Sequence, residues 1–555
     1  MKMRRGVLLF ACAVFALTAA FWWRSTSFGF VNYDDDDYIA NNPNVLNGYA
    51  ASGVAWAFTD TQLTSNWHPL TYLSHMTDAQ IASGERERAA TVSHVHNVLL
   101  HSLNAALLFL LVLVLVPEPA SLPAAALFAL LWALHPLRAE VVCWVSERKE
   151  LLSVCLMLVS LLAYLRPRRS AYGVSLVAYA LALMAKPVAV GFPAILFVLD
   201  YPKRLRRIVP FVLLSVAECA VTLFAQQGAM DRYLSFPARV INAFASIGVY
   251  VRQTVWPSGL HVLYRLGQPT DWPMFALGVL IVLAATVVGL RFLLRRRDPV
   301  LALMSVWCLV CLVPMLGVIQ VGAQAHADRY TYWVGCGLVA GLAMLLSRRM
   351  RTGHLAALSV AVVAYAVFAQ TVAPSWRDTR SLYSRVVAVD SGNDLALSSL
   401  AQEAMRDGDV DTAIGFYRRA TTANPGDTDV RGQLALTLAG RGTPEDIDEL
   451  QRLVAPLLED PSRDTKGLAL EAIGLTAMRS QDWDSAAHWF TLARRYGKIS
   501  SASDDCAMRL AMCRYNAKRW ADAAAALKPL LKSDNPAIVA KARELLGYLA
   551  AKGVR

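Results

Sequence analysis

The feature that most constrains this 555-residue chain is an asymmetry: residues 1–373 are a succession of apolar stretches and residues 374–555 are not. A helix rises 1.5 Å per residue, so about 20 apolar residues are needed to cross roughly 30 Å of hydrocarbon. Lipid offers the backbone no hydrogen bonds, which leaves helices as the natural solution. Stretches near 6–23, 94–116, 120–135, 151–165, 171–185, 188–199, 208–225, 274–293, 299–318, 328–346 and 354–372 predict an all-α, polytopic bundle of about eleven spans. The first follows the basic Met1–Arg5 and ends in Phe21-Trp22-Trp23, an interfacial anchor with no small-residue cleavage site before Arg24, so it reads as a span rather than a signal peptide.

The charge balance belongs to this frame. The net charge is +12, but residues 1–373 hold 29 Lys and Arg against 18 Asp and Glu, while residues 374–555 hold 25 against 24. A basic surplus interleaved with apolar runs orients spans and does not build a phosphate-binding face, so nucleic-acid binding is not expected. With the N-terminus cytoplasmic, Lys2/Arg4/Arg5, Arg166/Arg168/Arg169, Lys203/Arg204/Arg206/Arg207, Arg291/Arg295/Arg296/Arg297 and Arg348/Arg349/Arg351 fall on that side with only Glu118, Asp200 and Asp298 among the acids. Residues 240–256 are then re-entrant or interfacial on the outer side, and the polar C-terminal region is delivered outside the cytoplasm. The nine cysteines are scattered. Cys308 and Cys311 form a CxxC inside an apolar helix and lack further zinc ligands, so packing is their expected role; Cys506 and Cys513 lie about 10 Å apart along one helix, too far to bridge.

The polar half repeats. Ala401, Ala413, Tyr417, Ala420 and Pro425 follow one another at offsets that recur in Gly474, Ala486, Phe490 and Ala493 and again in Ala511, Ala523, Leu527 and Leu530. Small residues where two helices cross, with an aromatic or Leu four positions on, are the tetratricopeptide (TPR) pattern, a hairpin that buries its face only by stacking. A degenerate unit near 428–461, with Ile447 and Gln451 off pattern, keeps a helical stripe of Ile447, Leu450, Val454 and Leu457. The expected organisation is a transmembrane domain over 1–372, with a first outer loop at 24–93 and a second at 136–150, a linker over 373–393, and a TPR α-solenoid of about four hairpins over 394–555. Such a solenoid suits docking of another protein or capture of a polypeptide substrate.

Chemistry is expected in the outer loops. The first opens Phe30-Val31-Asn32-Tyr33-Asp34-Asp35-Asp36-Asp37-Tyr38, and four consecutive carboxylates repel one another unless cations or donors offset them. The run suits a solvated acidic turn, or a general base for a hydroxyl acceptor with a neighbour orienting it or holding a divalent ion, in which case Asp34 and Asp35 are the ligands. His68 lies in Trp67-His68-Pro69-Leu70-Thr71. The second loop carries His135, Arg138, Glu140, Trp144, Glu147, Arg148 and Lys149 on a predicted amphipathic interfacial helix or helix pair. Lys186-Pro187 breaks a span, and His326-Ala327-Asp328-Arg329-Tyr330 begins another. Arg and Lys at that depth suit a lipid phosphate or ordinary snorkelling. Glu218, in mid-span, is a functional candidate or the partner of a neighbouring helix. A transporter would show paired broken helices and a scaffold would need one span, so many spans with a polar outer cluster favour an enzyme.

These residues carry a resemblance. Phe30–Asp35 with Asn42-Pro43, Trp67–Thr71, His135-Pro136 through Trp144–Lys149, Lys186-Pro187 and Ala327–Tyr332, together with the repeats, resemble the bacterial branch of the transmembrane and tetratricopeptide-repeat O-mannosyltransferase-like proteins, within the GT-C membrane glycosyltransferases. The resemblance implies a GT-C bundle in the bacterial inner membrane with its TPR region periplasmic. It also implies a polyprenyl-phosphate-linked sugar as donor and co-substrate, mannose or another hexose, and a protein Ser or Thr hydroxyl as acceptor, held in the repeat groove. The base falls on Asp34 or Asp35, with Asp36 and Asp37 extending the pair. Arg138, Arg148, Lys149, Lys186 and Arg329 are expected around the donor phosphate, and His68, His135, Glu140, Glu147, His326 and Asp328 near them.

Overall fold

The computed structural model describes residues 2–116, 121–227, 234–267, 269–318, 324–346, 350–496, 500–533 and 535–554, and helices are the regular elements among them, with no strand. Glu118, Arg348 and Arg349 of the loop charges lie outside the described residues. The chain divides into two compact units, Met1–Val389 and Asp390–Arg555. Residues 373–389, expected as linker, fold within the first unit as the short helix Ala373–Trp376 and the helix Thr379–Val389.

Among the described residues six helices of the first unit are long and apolar enough to cross a membrane: Arg5–Ser27, Arg86–Leu115, Leu205–Ala225, Trp272–Arg295, Asp328–Leu346 and Thr352–Trp376. A seventh crossing is available if Leu122–Ala133 and Pro136–Cys143, which meet at 58°, act as one span. The expected eleven are therefore too many by this measure. Arg169–Ala185, Pro187–Asp200 and Pro299–Met315 are shorter apolar helices, and Arg148–Tyr164 has 17 residues and begins with three charged ones. A 17-residue helix reaches about 25 Å, less than the hydrocarbon thickness. Only 22, 11 and 17% of the most apolar windows of Leu205–Ala225, Trp272–Arg295 and Thr352–Trp376 are buried, so Leu213, Val216, Leu280, Leu283, Val360 and Val363 face outward. Apolar surface on that scale suits lipid and is unfavourable in water.

The buried centre is aromatic. Phe109, Trp132, Tyr179, Phe192, Phe211, Trp307, Tyr332 and Trp333 belong to one cluster, with Trp307 and Trp333 rings 4.6 Å apart. The helix Lys2–Trp22 packs into it through Phe10 on Phe109, and Trp22 donates its indole N–H to the carbonyl of Ala133 at 3.1 Å. Residues 240–256, expected as re-entrant or interfacial, are part of a 20-residue helix, Phe236–Val255. It crosses Trp272–Arg295 with Gly248 and Gly278 at the contact. A Cβ at Gly278 would sit 1.9 Å from the carbonyl oxygen of Phe244, so only glycine permits this approach.

The second unit is a row of helical hairpins: Asp394–Arg406 with Val410–Ala423, Thr428–Arg441 with Pro444–Glu459, Arg463–Arg479 with Trp483–Tyr496, and Ser500–Asn516 with Trp520–Leu527, closed by Pro536–Ala551. The small and aromatic positions are its buried seams. Ala401, Ala413, Tyr417 and Ala420 are buried, and Gly474 lies against the ring of Phe490. In the degenerate unit Leu450, Val454 and Leu457 pack on Ala435 and Ala439, so the stripe does the work of the missing pattern residues. This is a TPR-like helical repeat.

Candidate active site

Three chain breaks converge at one end of the first unit. Lys186 precedes Pro187, which disfavours helical backbone for it, and it is extended at φ −161°, ψ 137° between Arg169–Ala185 and Pro187–Gly191. The second outer segment, expected as an amphipathic interfacial helix or helix pair, is more broken and more deeply buried than that. Pro136–Arg138, Ala139–Cys143 and Val145–Glu147 are short turns of helix separated at Trp144, and every residue from Ala133 to Glu150 is buried. The third break is Asp328–Tyr330, one turn ahead of Thr331–Leu346. The acid loop lies across them.

Asp35 is 1% exposed. One oxygen accepts from the backbone N–H of Ser146 at 3.0 Å and from its hydroxyl at 2.5 Å, and the other accepts from the N–H of Val31 at 2.9 Å. Burial nevertheless pushes its carboxyl up to about 6, against the pull of those donors. Asp34, next to it, has a side chain 41% exposed and stands 3.5 Å from Lys149 Nζ. Asp36 turns to the flank, where it accepts from Asn41 at 3.1 Å and pairs with the exposed Arg86 at 3.3 Å.

From Asp34 inward the charges alternate. Lys149 Nζ is 3.6 Å from Glu147 Oε1, the other Glu147 oxygen accepts from Lys186 Nζ at 2.8 Å, and Lys186 is 3.0 Å from Glu150. Arg329 joins through Nε, 3.7 Å from Glu147, and pairs with Glu140, which also accepts from the Arg329 backbone N–H at 2.9 Å. Burial opposes a charge on Glu147, yet Lys186, Lys149 and Arg329 outweigh it and hold its carboxyl below the usual range. Lys149 differs from Lys186 in how it is held. Both of its carboxylate contacts exceed ordinary hydrogen-bond length, and its ammonium lies 4.3 Å from the Tyr38 ring centroid and 5.3 Å from that of Trp144. Asp34 and Lys149 are thus a carboxylate and a lightly engaged cation at the open end of a buried ionic chain.

The remaining candidates divide. Arg138 donates to the carbonyl of Thr331 at 3.0 Å and to its hydroxyl at 2.7 Å, between the rings of Trp132 and Tyr332. Arg148, expected at the donor phosphate, is fully buried and engaged elsewhere: it donates to Asn97, to Ser74 at 2.8 Å, to Asp78 at 2.9 Å and to the carbonyl of Ser93 at 2.7 Å. It neutralises Asp78, and four of its five N–H groups are spent on these partners. His68 shares its Nδ1 with the Tyr38 hydroxyl at 3.1 Å, while its Nε2 is buried without a partner. Burial, with Lys149 and Lys186 nearby, holds its pKa well below 6.5, so the ring is neutral. His135 is structural, with Nδ1 accepting from Leu137 N and Nε2 at 3.0 Å from the carbonyl of Thr254. His326 stacks on Tyr264 at 4.0 Å, and Tyr264 donates to Asp328 at 2.8 Å. Among the described residues no group of three or more His, Cys, Asp or Glu is arranged to hold a metal ion. Glu218 accepts a bond at 3.1 Å from the hydroxyl of Thr222, four residues on in the same helix.

Sequence reasoning missed several groups. Glu150 follows Glu147 by three residues, one helical turn, so both can face Lys186, a spacing visible in the chain. Ser146, whose N–H and hydroxyl hold Asp35, is a small polar residue that nothing in the sequence sets apart. Thr379 and Tyr383, which bond the backbone of Asn32, sit in a stretch that reads as linker, although Leu382, Tyr383 and Val386 recur at helical spacing there.

No family model matches the chain, and no curated protein matches it. Among solved structures it is similar to yeast Tom70, at 12% identity and a TM-score of 0.22, over 78% of this chain and 93% of that one, a likeness too slight to carry an argument.

Proposed function

We propose that the first unit is a GT-C-like membrane glycosyltransferase that moves a sugar, mannose or another hexose, from a polyprenyl-phosphate donor to a Ser or Thr hydroxyl of a protein on the extracytoplasmic face. The observation that supports this reading best is the pairing of half-exposed Asp34 with Lys149, 3.5 Å apart, at the open end of a buried chain of alternating charge. Of the two candidate bases, Asp34 is the one a substrate can reach; both Asp35 oxygens are already engaged.

In this mechanism the acceptor hydroxyl oxygen attacks the anomeric carbon and its proton passes to Asp34. The bond from that carbon to the phosphate oxygen breaks with its electron pair going to the leaving lipid phosphate, and attack from the opposite side inverts the configuration. A phosphate needs charge stabilisation more than a proton, and Lys149 supplies it first, with Lys186 and Arg329 behind it through Glu147. The Ser146 clamp on Asp35 fixes the loop that carries the base, so the carboxylate is oriented before substrate arrives. The repeat unit, with its row of hairpins, is the acceptor-binding part on this reading.

Mass analysis of envelope glycopeptides from cells carrying the wild-type chain, Asp34→Asn or neither tests the proposal. A hexose on Ser or Thr that requires the wild-type chain and is lost in Asp34→Asn is the expected result. Identical glycopeptides in all three, with both proteins well expressed, overturn it.

A further inference from the structure

The loop from Phe28 to Asp35 contains almost no hydrogen bonding of its own. Its internal backbone contacts are Tyr33 N–H to the carbonyl of Val31 at 2.8 Å and the Asp35 carboxylate to the Val31 N–H. Beyond the Ser146 clamp on Asp35 and His94, whose Nε2 lies 3.2 Å from the carbonyl oxygen of Gly29, three bonds come from a segment about 350 residues away in the chain. Gly29 N–H donates to the carbonyl of Arg377 at 2.9 Å, Asn32 N–H donates to the Thr379 hydroxyl at 3.0 Å, and the Tyr383 hydroxyl donates to the carbonyl of Asn32 at 2.7 Å. Thr379 and Tyr383 are four apart and therefore share one face of their helix, so a single helix face takes both the donor and the acceptor of one peptide position. Just ahead of that helix, Trp376 stacks on Trp144 with centroids 5.6 Å apart and planes at 21°, and the Trp144 ring also lies 4.9 Å from Tyr33 and 5.3 Å from Lys149 Nζ. The same segment thus touches the loop of the base and the ring that flanks the cation.

We propose that residues 376–389 are a clamp in which Thr379 and Tyr383 are positioning residues: by holding Asn32 they hold Asp34 beside Lys149. The positional role rests on the reading of Asp34 as the base; the clamp itself does not. Without it, Asn32 loses two backbone hydrogen bonds on the N-terminal side of Asp34, whose own carbonyl is held from the other side by the N–H groups of Asp37 and Tyr38 at 3.1 and 3.0 Å.

Hydrogen exchange of the full-length protein in detergent tests the clamp directly. Thr379→Val keeps the shape and removes the acceptor, Tyr383→Phe removes the donor, and Thr379→Ser keeps the hydroxyl. Exchange at residues 29–35 is expected to rise roughly tenfold in the first two and to stay near wild type in the third, with protection elsewhere unchanged. Unchanged exchange at 29–35 in Thr379→Val and Tyr383→Phe overturns the clamp. In a transfer assay the same two variants are expected to lose about tenfold in kcat with the donor KM unchanged, and Thr379→Ser to keep its rate; full kcat in a variant whose loop has loosened overturns the positioning role. A wild-type chain that transfers no sugar removes the glycosyltransferase reading while the exchange result still decides the clamp.

Discussion

Adjacent residues in this site have opposite fates, and depth decides between them. Asp34 and Asp35 are indistinguishable as letters, yet one is 1% exposed and fully engaged while the other faces out beside a lysine. Arg148 and Lys149 separate in the same way: about 100° of helical turn sends one into the Asp78 network and the other toward Asp34. The buried member of the first pair carries a pH signature. An unfolded Asp titrates near 3.9, whereas burial raises Asp35 to about 6 in the folded chain. Between those values the folded state keeps a proton that the unfolded state has released, so its contribution to stability is present below about pH 4 and is lost as pH rises through about 6. Two pKa units correspond to about 3 kcal/mol. Wild type should therefore lose stability relative to Asp35→Asn across that window, read as the difference between their melting temperatures at pH 4 and pH 7; parallel pH profiles would show that Asp35 is not held in this way. The acid run, the lysines and the arginines were legible as candidates because their residue types are unusual beside apolar spans. Which of each pair is buried was not, because a run of four carboxylates has no period that marks an inside.

At the scale of elements, the site depends on breaks rather than on helices. Proline placed the Lys186 break in the sequence, and the structure uses it to turn an ammonium toward two carboxylates, Glu147 just before Arg148–Tyr164 and Glu150 on its first turn. The cost of losing it follows from burial. Glu147 and Glu150 are fully buried, and Lys186 is the cation nearest to both. Removing one partner of a buried ionic group typically costs about 3–5 kcal/mol, because the charge left behind has neither water nor a counterion. Lys186→Met should destabilise the protein by that order, and adding Glu150→Gln should recover part of it by deleting one of the stranded acids. A double-mutant cycle on unfolding in detergent measures both; a Lys186→Met loss under about 1 kcal/mol would mean that Glu147 and Glu150 draw their compensation elsewhere. The interruption of residues 136–150 at Trp144 was not legible, since Glu140, Trp144 and Glu147 fit a continuous helix by spacing and only the packing of the chain around Trp144 shows that they do not form one. The clamp helix escaped for a different reason: Thr379 and Tyr383 are ordinary on a polar helix, and their importance lies in a partner about 350 residues away.

Across the whole first unit, the convergence of the site constrains topology more tightly than a count of spans. Asp35, the adjacent pair Ser146 and Glu147, Lys186, Arg329 and Thr379 meet at one end, so between these successive points the chain must leave that end and return. Arg86–Leu115 leaves and Leu122–Ala133 returns; Arg148–Tyr164 leaves and Arg169–Ala185 returns; Thr331–Leu346 leaves and Thr352–Val372 returns. However many of the shorter helices cross a bilayer, the first helix alone then decides which face the site occupies relative to the N-terminus. The far ends gather the loop cations. Arg207 covers the rings of Tyr164 and Tyr172 beside Asp200, Arg296 lies 3.7 Å over Tyr201, and Arg166, Arg168 and Lys203 are exposed nearby. On the topology we propose, in which short loops rich in Lys and Arg stay on the cytoplasmic side, the site and the chain that follows it are extracytoplasmic. An alkaline phosphatase reporter fused after Arg555 should accordingly be active, and one fused in the Arg166–Arg169 turn inactive. The reverse pattern would place the acid loop in the cytoplasm, where a lipid-linked donor presented on the outer face could not reach Asp34, and the proposed reaction would fall with the topology.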